Sequence, residues 1–576
     1  MSELRAVARG DQPADLVLRG GRVFDPVTET YERGDLLVAD GRIASLTLDS
    51  SASIGPDTNV LDVADCHVLP GFIDVHTHLD TFQAFERAFR HALAGGTTTV
   101  VTETDRFAMR FGRAGIELLL DATADLPVTV FGTLPAGPFY RDVAGRRLSD
   151  IDLDDIADLA SDDRIVGAGE VFWNYAIERS DETPLTTLFE AVRNHGGVIC
   201  GHGAGCNDEK LTAFATEIDN DHEILKAEDV GERLRRGVVP IGRYGSIRDD
   251  IDAFAAGTEG VPAGELCLCS DGMWPRELVE DGYMDAVVRR AVEAGIEPTR
   301  AFRMVTLNAA RHFGLTDRGS LTPGSVADIV VLGDEQTVDV RTVISSGSVV
   351  VQDGEVRCTD RPFDYPERVR NSVTVDVTED RFRVDAAGGG AVAAIDYEEG
   401  LLSSETRVEP PIIDGEYRAA PDHDLLKAAL LPGSATRRDG GFTGFVTGLM
   451  LQTGAVATSD TWGSPGVLTV GTTAAEMTAA ARRVAELGGG WVVVEDGEPV
   501  AELPTPIAGV CSEDAVERTR DLAEAVRGAL SARGMTASQP LLALGTLSAV
   551  GMPWFKLATG GYVDVIANEV VNLRPE

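Results

Sequence analysis

The chain has 576 residues and is strongly acidic, with 93 Asp and Glu against 51 Lys and Arg and a formal net charge of −42. This length excludes a small binding module and predicts about three domains. The hydrophobic fraction of 43% is that of a globular chain and excludes a disordered one. An acidic surface repels phosphate backbones and anionic lipids, so neither nucleic acid nor a membrane is an expected partner.

Lysine is almost absent, and most basic residues are arginine. The lysines are Lys210, Lys226, Lys427 and Lys556. High acidity with scarce lysine is typical of proteins from salt-loving organisms, because high ionic strength screens self-repulsion. The sequence shows neither a signal-peptide pattern nor an apolar run of about 18 residues, and its seven cysteines form no CxxC pair. We therefore expect a cytoplasmic protein without a disulfide framework.

Short apolar strands separated by Gly and Asp turns characterise two distant segments, 15–69 and 324–356. Strands of this kind favour a small antiparallel sheet. We interpret the two segments as halves of one composite β-sandwich domain, formed by residues 1–69 plus 320–364.

Between these segments, strand-like apolar runs alternate with amphipathic stretches, including predicted helices at 278–294 and 298–313. Repeated strand and helix over about 250 residues predicts an α/β fold, a parallel (β/α)₈ barrel over residues 70–319. An open, doubly wound sheet is the alternative. Acidic, Pro-containing stretches then mark a boundary near residue 365. Residues 365–576, with helices expected at 474–487 and 513–533, predict an extra C-terminal α/β domain.

Histidines follow several strand-like runs of the predicted barrel. His76 and His78 are two residues apart, so in a strand both side chains would point to the same face. Together they could bind one metal ion as two ligands. His202 and His222 follow later runs, and Asp271 follows another. Because catalytic groups gather at the carboxyl ends of barrel strands, these five residues form a predicted metal set for hydrolysis.

Three motifs resemble the amidohydrolase superfamily over residues 15–356, and five more resemble the adenine deaminases of bacteria and archaea. The superfamily motifs are PGFIDVHTH at 70–78, LNAAR at 307–311 and GSLTPGSVAD at 319–328. The adenine deaminase motifs are GHGAG at 201–205, DHE at 221–223 and the segments 278–294, 487–494 and 502–509. The resemblance implies a metal-dependent hydrolase barrel of the TIM type and an adenine-deaminase-type C-terminal domain.

The resemblance also implies a binuclear metal centre. Many superfamily members bridge two metals with a carboxylated lysine, but no lysine precedes Lys210 here, and the matching position is Glu170. A glutamate can bridge two divalent ions without modification. The implied metal ligands are His76, His78, Glu170, His202, His222 and Asp271. Such ligands suit manganese, iron or zinc, and manganese is the expected metal.

The implied reaction is hydrolytic deamination of adenine to hypoxanthine and ammonia, a step of purine salvage. A bound metal would lower the pKa of a water molecule, and Asp271 would act as general base and then acid. His222 would stabilise developing charge if it is not a ligand, and Glu223 beside it completes the implied catalytic set. The expected partner is a small purine base, and family members often form homodimers.

Four segments depart from the adenine deaminase pattern, and the groups lost there would shape the base pocket or hold an additional metal. Asp80 and Glu103 could replace lost polar contacts, or be surface acids. Trp274 could stack on a heterocycle or simply pack. Two further functions therefore stay open: hydrolysis of another aminated heterocycle or cyclic amide, and metal binding without catalysis. The departing segments are 79–82, 103–106, 270–274 and 458–463.

Overall fold

The computed structural model describes residues 2–136, 151–177, 184–399, 401–433, 440–463, 465–552 and 554–574. In this part of the chain, no helix is both long and apolar enough to cross a membrane.

A helix and five strands open the chain. Asp40 and Gly41 connect the second and third strands, and both have positive φ, 50° and 67°. A two-residue turn of this kind matches the twist of a hairpin. The elements are α1 (Ser2–Ala8), β1 (Leu16–Asp25), β2 (Thr30–Ala39), β3 (Arg42–Thr47), β4 (Asn59–Asp62) and β5 (His67–Pro70).

The next strands and helices alternate, and eight of the nine strands form one parallel sheet, whereas β7 lies outside it. The strands are β6 (Phe72–Thr77), β7 (Phe82–Gln83), β8 (Thr97–Thr102), β9 (Thr129–Pro135), β10 (Ile165–Phe172), β11 (Val198–His202), β12 (Asn220–Asp221), β13 (Val239–Arg243) and β14 (Cys267–Cys269). The helices are α2 (Phe85–Ala94), α3 (Asp105–Phe111), α4 (Arg113–Thr123), α5 (Leu153–Ala160), α6 (Trp173–Ile177), α7 (Pro184–Asn194), α8 (Asp208–Phe214), α9 (Ala227–Leu234), α10 (Ile251–Gly257), α11 (Pro275–Glu280), α12 (Met284–Glu293), α13 (Pro298–Met304) and α14 (Leu307–His312).

The parallel strands form a nearly closed barrel in the order β6, β8, β9, β10, β11, β12, β13, β14. The first and last strands approach each other where the Asp271 backbone N–H donates to the His76 carbonyl at 3.0 Å. Apolar side chains such as Ile73, Val101 and Ile241 fill the interior. The barrel is therefore confirmed, and the open doubly wound sheet is excluded.

Two predicted long helices are each broken in the structure. The segment 278–294 is divided between α11 and α12 at Gly282, whose φ of 110° lies outside the helical range. The segment 298–313 is divided between α13 and α14 because the Val305 carbonyl accepts the Ile73 N–H at 2.8 Å. A single long helix at either place was therefore wrong.

Four strands after the barrel return to the first strand group. They are β15 (Ile329–Leu332), β16 (Val340–Ser345), β17 (Ser348–Gln352) and β18 (Glu355–Val356). β15 pairs antiparallel with β5, so both groups share one nine-stranded sheet. The Ile43 N–H of edge strand β3 donates to the Ser325 carbonyl at 2.9 Å. The sheet thus curls around a core to which both groups contribute.

The C-terminal part is built on an eight-stranded mixed sheet with helices on both faces. α15 packs on one face, and α16 and α17 pack on the other around Trp491 and Leu430. The elements are β19 (Val392–Glu398), β20 (Leu402–Val408), β21 (Ile412–Ile413), β22 (Glu416–Tyr417), β23 (Leu426–Pro432), β24 (Phe442–Thr447), β25 (Ala455–Thr458), β26 (Gly466–Gly471), α15 (Ala474–Glu486), β27 (Gly490–Glu495), β28 (Glu498–Pro504), β29 (Cys511–Ser512), α16 (Val516–Ala532), α17 (Pro540–Thr546), β30 (Phe555–Ala558), β31 (Gly561–Asp564) and β32 (Glu569–Val571).

This part of the chain contacts the barrel at the edge where the strands end. β29 pairs in parallel with β7, and the Tyr175 hydroxyl after β10 donates to the Val550 carbonyl at 2.8 Å. The C-terminal part therefore covers the end of the barrel at which a site is expected.

Candidate active site

The six predicted metal ligands converge at the carboxyl end of the barrel. Each lies at or just beyond the end of a strand, on β6, β10, β11, β12 and β14. Their potential ligand atoms form two overlapping groups, and within each group the atoms lie within 4.8 Å of one another. The first group is His76, His78, Glu170 and Asp271, and the second is Glu170, His202 and His222.

Glu170 lies at the centre of this ligand cluster. Its Oε1 is 3.6 Å from Nε2 of both His76 and His78, 3.5 Å from His202 Nδ1 and 3.7 Å from His222 Nε2. Asp271 Oδ1 is 3.2 Å from His76 Nε2 and 3.5 Å from His78 Nε2. Glu170 is thus the one residue common to both groups.

The donor atoms of the cluster fit divalent metal. Among the described residues, His76 Nε2, His202 Nδ1, His222 Nε2 and Asp271 Oδ1 are buried without a hydrogen-bond partner. A buried polar atom without a partner is destabilising, so such atoms converging on one point call for a ligand. Imidazole and carboxylate groups are the ligands of hydrolytic metal ions.

Electrostatics favours a cation at the same place. Burial alone would lower the pKa of His76, but Asp271, Glu103 and Glu170 outweigh burial and raise it well above its usual value. Burial, followed by the neighbouring His76, lowers the pKa of His222 well below its usual value. The carboxylates therefore leave an excess of negative charge around His76, which a cation would neutralise.

Two of the predicted ligands hold unusual backbone conformations. The φ angles are 36° at Glu170 and 52° at Asp271, in a region that non-glycine residues seldom adopt. At Asp271 this turn lets the N–H reach the His76 carbonyl and so joins the last strand to the first. Such conformations cost about 1–3 kcal/mol each and tend to occur at functional sites.

Arg243, at the end of β13, holds the carboxylates of the site in place. Its Nη1 donates to Glu223 Oε1 at 2.6 Å and to Asp271 Oδ2 at 2.8 Å, while its Nη2 donates to Asp250 Oδ2 at 2.5 Å. Burial would raise the pKa of Asp271, but the guanidinium outweighs burial and keeps that pKa well below its usual value. The same contacts lower the pKa of Glu223 to about 2. Both carboxylates are therefore ionised at neutral pH.

A second hydrogen-bond network fixes the strand ends that carry His76 and Asp271. The Ser270 hydroxyl donates to Asp74 Oδ2 at 2.5 Å, and the Ser270 N–H donates to Asp74 Oδ1 at 3.1 Å. The Tyr283 hydroxyl reaches Thr77 Oγ1 at 3.1 Å. These buried bonds tie the first and last barrel strands together next to the ligands.

A cavity of about 310 Å³ opens beside the ligand cluster. Six site residues named above line it, namely His78, Glu170, His202, Glu223, Arg243 and Asp271. The C-terminal part contributes the opposite wall, so the cavity lies between the two parts of the chain. The lining residues from that part include Leu402, Trp462, Val550, Met552 and Trp554.

Three residues predicted to contact substrate lie outside the cavity lining. Glu103 is buried behind His76, with 3.4 Å between its Oε1 and His76 Nδ1. Asp80 is buried near Arg106, and burial raises the pKa of its carboxyl to about 7. Trp274 packs edge-on against Phe82, with 4.9 Å between ring centroids. Glu103 therefore supports a ligand, and Trp274 packs the barrel against the C-terminal part.

The cavity is lined instead by residues that were not predicted from the sequence to contact substrate. Arg106 on α3 and Trp462 after β25 both line it, and Arg106 Nη1 pairs with the buried Asp460 at 2.6 Å. Arg106 and Asp460 belong to two of the segments that depart from the adenine deaminase pattern. The divergence of both segments was thus visible in the sequence. That the two segments contact each other could be seen only in the structure.

The fold is that of an amidohydrolase. A family model described as "Amidohydrolase family" matches residues 67–350, which contain the barrel and all six predicted ligands. Among solved structures, a β-aspartyl dipeptidase from Fervidobacterium islandicum is similar at a TM-score of 0.47 and 18% identity, covering 60% of this chain and 98% of that chain.

Comparison over the whole chain is more specific. A model described as "Adenine deaminase C-terminal domain" matches residues 401–569. An adenine deaminase of Moorella thermoacetica is 34% identical over 99% of this chain and 97% of its own length. One from Methanothrix thermoacetophila is 31% identical over 98% of both chains. The chain belongs to the adenine deaminase family, and the resemblance predicted from its motifs is confirmed.

Proposed function

We propose that the protein catalyses the hydrolytic deamination of adenine to hypoxanthine and ammonia. The observation that carries this proposal is the sharing of Glu170 by two groups of metal ligands at the carboxyl end of the barrel. The relatives called adenine deaminases extend over nearly the whole chain, including the C-terminal part that completes the cavity. A cavity of about 310 Å³ is at the small end of ligand sites and suits a free base.

We propose that the site binds two divalent ions and that these are manganese rather than iron or zinc. His76, His78 and Asp271 would hold one ion, His202 and His222 the other, and Glu170 would bridge them. When bound, such ions supply Lewis acidity that lowers the pKa of a water molecule. Mixed imidazole and carboxylate ligands suit manganese, and metal analysis of the purified protein tests this choice.

In this mechanism the chain's own residues move the protons. Ionised Asp271, fixed by Arg243, accepts one proton from the attacking water and delivers it to the amino group, which leaves as ammonia, while the second proton of the water ends on the ring nitrogen. Water thereby forms the new C–O bond at the amidine carbon as the C–N bond to the amino group breaks. Glu223, held by the same guanidinium, lines the cavity and orients the base, while His222 would serve as a metal ligand beside Glu170 and His202.

A direct assay tests the activity. The metal-loaded protein in high salt is incubated with adenine, and conversion to hypoxanthine is followed by absorbance together with ammonia release. We expect turnover that stops when a chelator removes the metal and returns when manganese is restored. A folded, metal-loaded protein that releases no ammonia from adenine would contradict the proposal.

Hydrolysis of another aminated heterocycle or a cyclic amide is the second candidate. It is favoured by Arg106 and Trp462, which line the cavity in segments that depart from the family pattern. Turnover of cytosine, guanine or dihydropyrimidines in place of adenine would support it. Bound metal without turnover on that panel would instead favour the third possibility, a non-catalytic metal-binding relative.

The remaining expectations follow from composition and family. We propose that the enzyme acts in purine salvage in the cytoplasm of a salt-loving organism and forms a homodimer. We further propose domain boundaries at 69/70, 319/320 and 364/365. A melting temperature that rises as KCl is increased from low to molar concentrations would support halophilic adaptation, because salt screens the net charge of −42.

A further inference from the structure

We propose that Trp462 and Arg106 form the surface that recognises the substrate ring, with Trp462 stacking on its face and Arg106 donating to a ring nitrogen. This proposal rests on the proposed function, because it names the part of the same cavity that selects a planar heterocyclic base. It makes the C-terminal part of the chain a direct contributor to substrate specificity.

Trp462 is a fixed aromatic wall of the cavity. The backbone N–H of Trp462 donates to Ser548 Oγ at 3.3 Å. This bond anchors the backbone of Trp462 to the segment after α17. A Cβ on Gly545 of α17 would lie 3.1 Å from the indole Nε1, so the ring packs closely against this glycine. The Arg106 guanidinium carbon lies 5.7 Å from the indole centroid. An aromatic ring held in this way presents a preorganised surface for stacking.

Arg106 has donors left for a ligand. Its Nη1 is bound to Asp460, but within the described chain the guanidinium makes no other hydrogen bond, although the side chain is only 5% exposed. The residue lines the cavity. A guanidinium N–H directed at a ring nitrogen would be satisfied only when a base is bound.

The charge of this surface suits a neutral ring. Burial would lower the pKa of Arg106, but Asp460 and then Asp80 and Asp105 outweigh burial and raise it. Arg106 is thus charged, while Asp460 at 2.6 Å neutralises it. A neutralised guanidinium donates hydrogen bonds without the free positive charge that a phosphate group requires. The surface therefore favours a free base over a nucleotide.

The position of this surface also fits the geometry of the reaction. The cavity has the ligand cluster on the barrel side and Trp462 with Gly463 on the C-terminal side. The ring surface and His78, Glu170 and Asp271 therefore line one and the same cavity. Contact with this wall would stabilise bound substrate and bound product alike, so its loss should appear in KM and Kd rather than in kcat.

Three variants of the metal-loaded full-length protein test the proposal. Trp462→Leu removes the stacking face, and Arg106→Lys keeps the ion pair with Asp460 but loses the planar set of donors. Arg110→Gln is the control, since Arg110 lies on the same helix and donates to the Ser459 carbonyl at 3.0 Å but does not line the cavity. Metal content, kcat and KM for adenine, cytosine and guanine, and the Kd for hypoxanthine, the product, are measured for each.

We expect Trp462→Leu to raise both KM and the hypoxanthine Kd at least about fivefold, as loss of a stacked base contact does. Arg106→Lys should raise both in the same direction. In both variants kcat and metal content should stay within about threefold of wild type, and Arg110→Gln should leave KM within about twofold. Unchanged KM and Kd in Trp462→Leu and Arg106→Lys would overturn the proposal while leaving the deaminase function intact.

The same experiment separates this proposal from the proposed function. One outcome is that wild type converts cytosine or guanine but not adenine, and that Trp462→Leu raises the KM for that base. This outcome would support substrate recognition by Trp462 and Arg106 and refute adenine as the substrate. If no base on the panel is bound or converted by the metal-loaded wild type, both are refuted.

Discussion

Lys556 on β30 makes a testable contribution to the stability of the C-terminal part. Its side chain is 1% exposed, and Nζ donates to Ser403 Oγ at 2.8 Å. Within the described residues no carboxylate pairs with it, and burial lowers its pKa from 10.5 to about 7. Substitution Lys556→Met keeps the length of the side chain and removes the titrating amine.

The sign and magnitude of the effect follow from this shift. Between pH 7 and 10.5 the unfolded chain binds a proton at Lys556 that the folded chain does not bind, so the free energy of unfolding rises with pH across this window. Because one pKa unit corresponds to about 1.4 kcal/mol, burying the amine costs about 5 kcal/mol at pH 7 and below. Losing the bond to Ser403 offsets about 1 kcal/mol. Lys556→Met should therefore stabilise by about 4 kcal/mol at pH 7 and destabilise slightly, by up to about 1 kcal/mol, above pH 10.5, where only the lost hydrogen bond remains.

Calorimetry of the full-length protein at pH 7, 8, 9 and 10 in one high-salt buffer measures this effect. We expect the variant to melt on the order of 10 °C above wild type at pH 7, and the difference to shrink steadily as pH rises. Lys427→Met is the contrasting control, because Lys427 Nζ pairs with the buried Glu416 at 2.5 Å and its removal should destabilise throughout. A melting difference that is the same at pH 7 and pH 10 would refute the reasoning.

Three predictions concern the site. Asp271→Asn should lower kcat by about 10²–10⁴-fold, because proton transfer is lost, with metal content close to wild type; a fully active variant would remove Asp271 from the mechanism. Glu170→Gln should lower bound metal by at least half and activity by about 100-fold, since one charge shared by both ligand groups is lost, and metal analysis checks this. Arg243→Lys should lower kcat at least about tenfold with metal retained, because a lysine cannot bridge Glu223, Asp271 and Asp250 together; unchanged kinetics would contradict this.

The barrel and most of its ligand cluster could be predicted from the sequence because histidine is rare in this chain. Only nine histidines occur, so those that follow apolar runs, such as His76, His202 and His222, are informative by residue type alone. The convergence of strand ends in a parallel barrel then brings them together without knowledge of contacts. Glu170 was different, because the acidic composition hides any single glutamate, and only the family resemblance identified it.

Arg243 could not be predicted for the opposite reason. Of the 51 basic residues 47 are arginines, so an arginine at the end of an apolar run carries little information. Its role depends on three carboxylates that approach it from other parts of the chain, namely Glu223, Asp271 and Asp250. Trp462 was missed for a related reason, since its place in the cavity depends on packing between the barrel and the C-terminal part.

The distribution of charge around the site explains why these arginines are needed. Glu223, Asp250 and Asp271 are buried together, and a buried carboxylate is destabilising unless a cation or several donors accompany it. Arg243 supplies that cation to all three, and Arg106 does the same for Asp460. Glu170 and Glu103 have histidines beside them instead. One guanidinium cannot neutralise three carboxylates, so uncompensated negative charge remains on this group as well as on Glu170 and Glu103, around the point where divalent cations would bind.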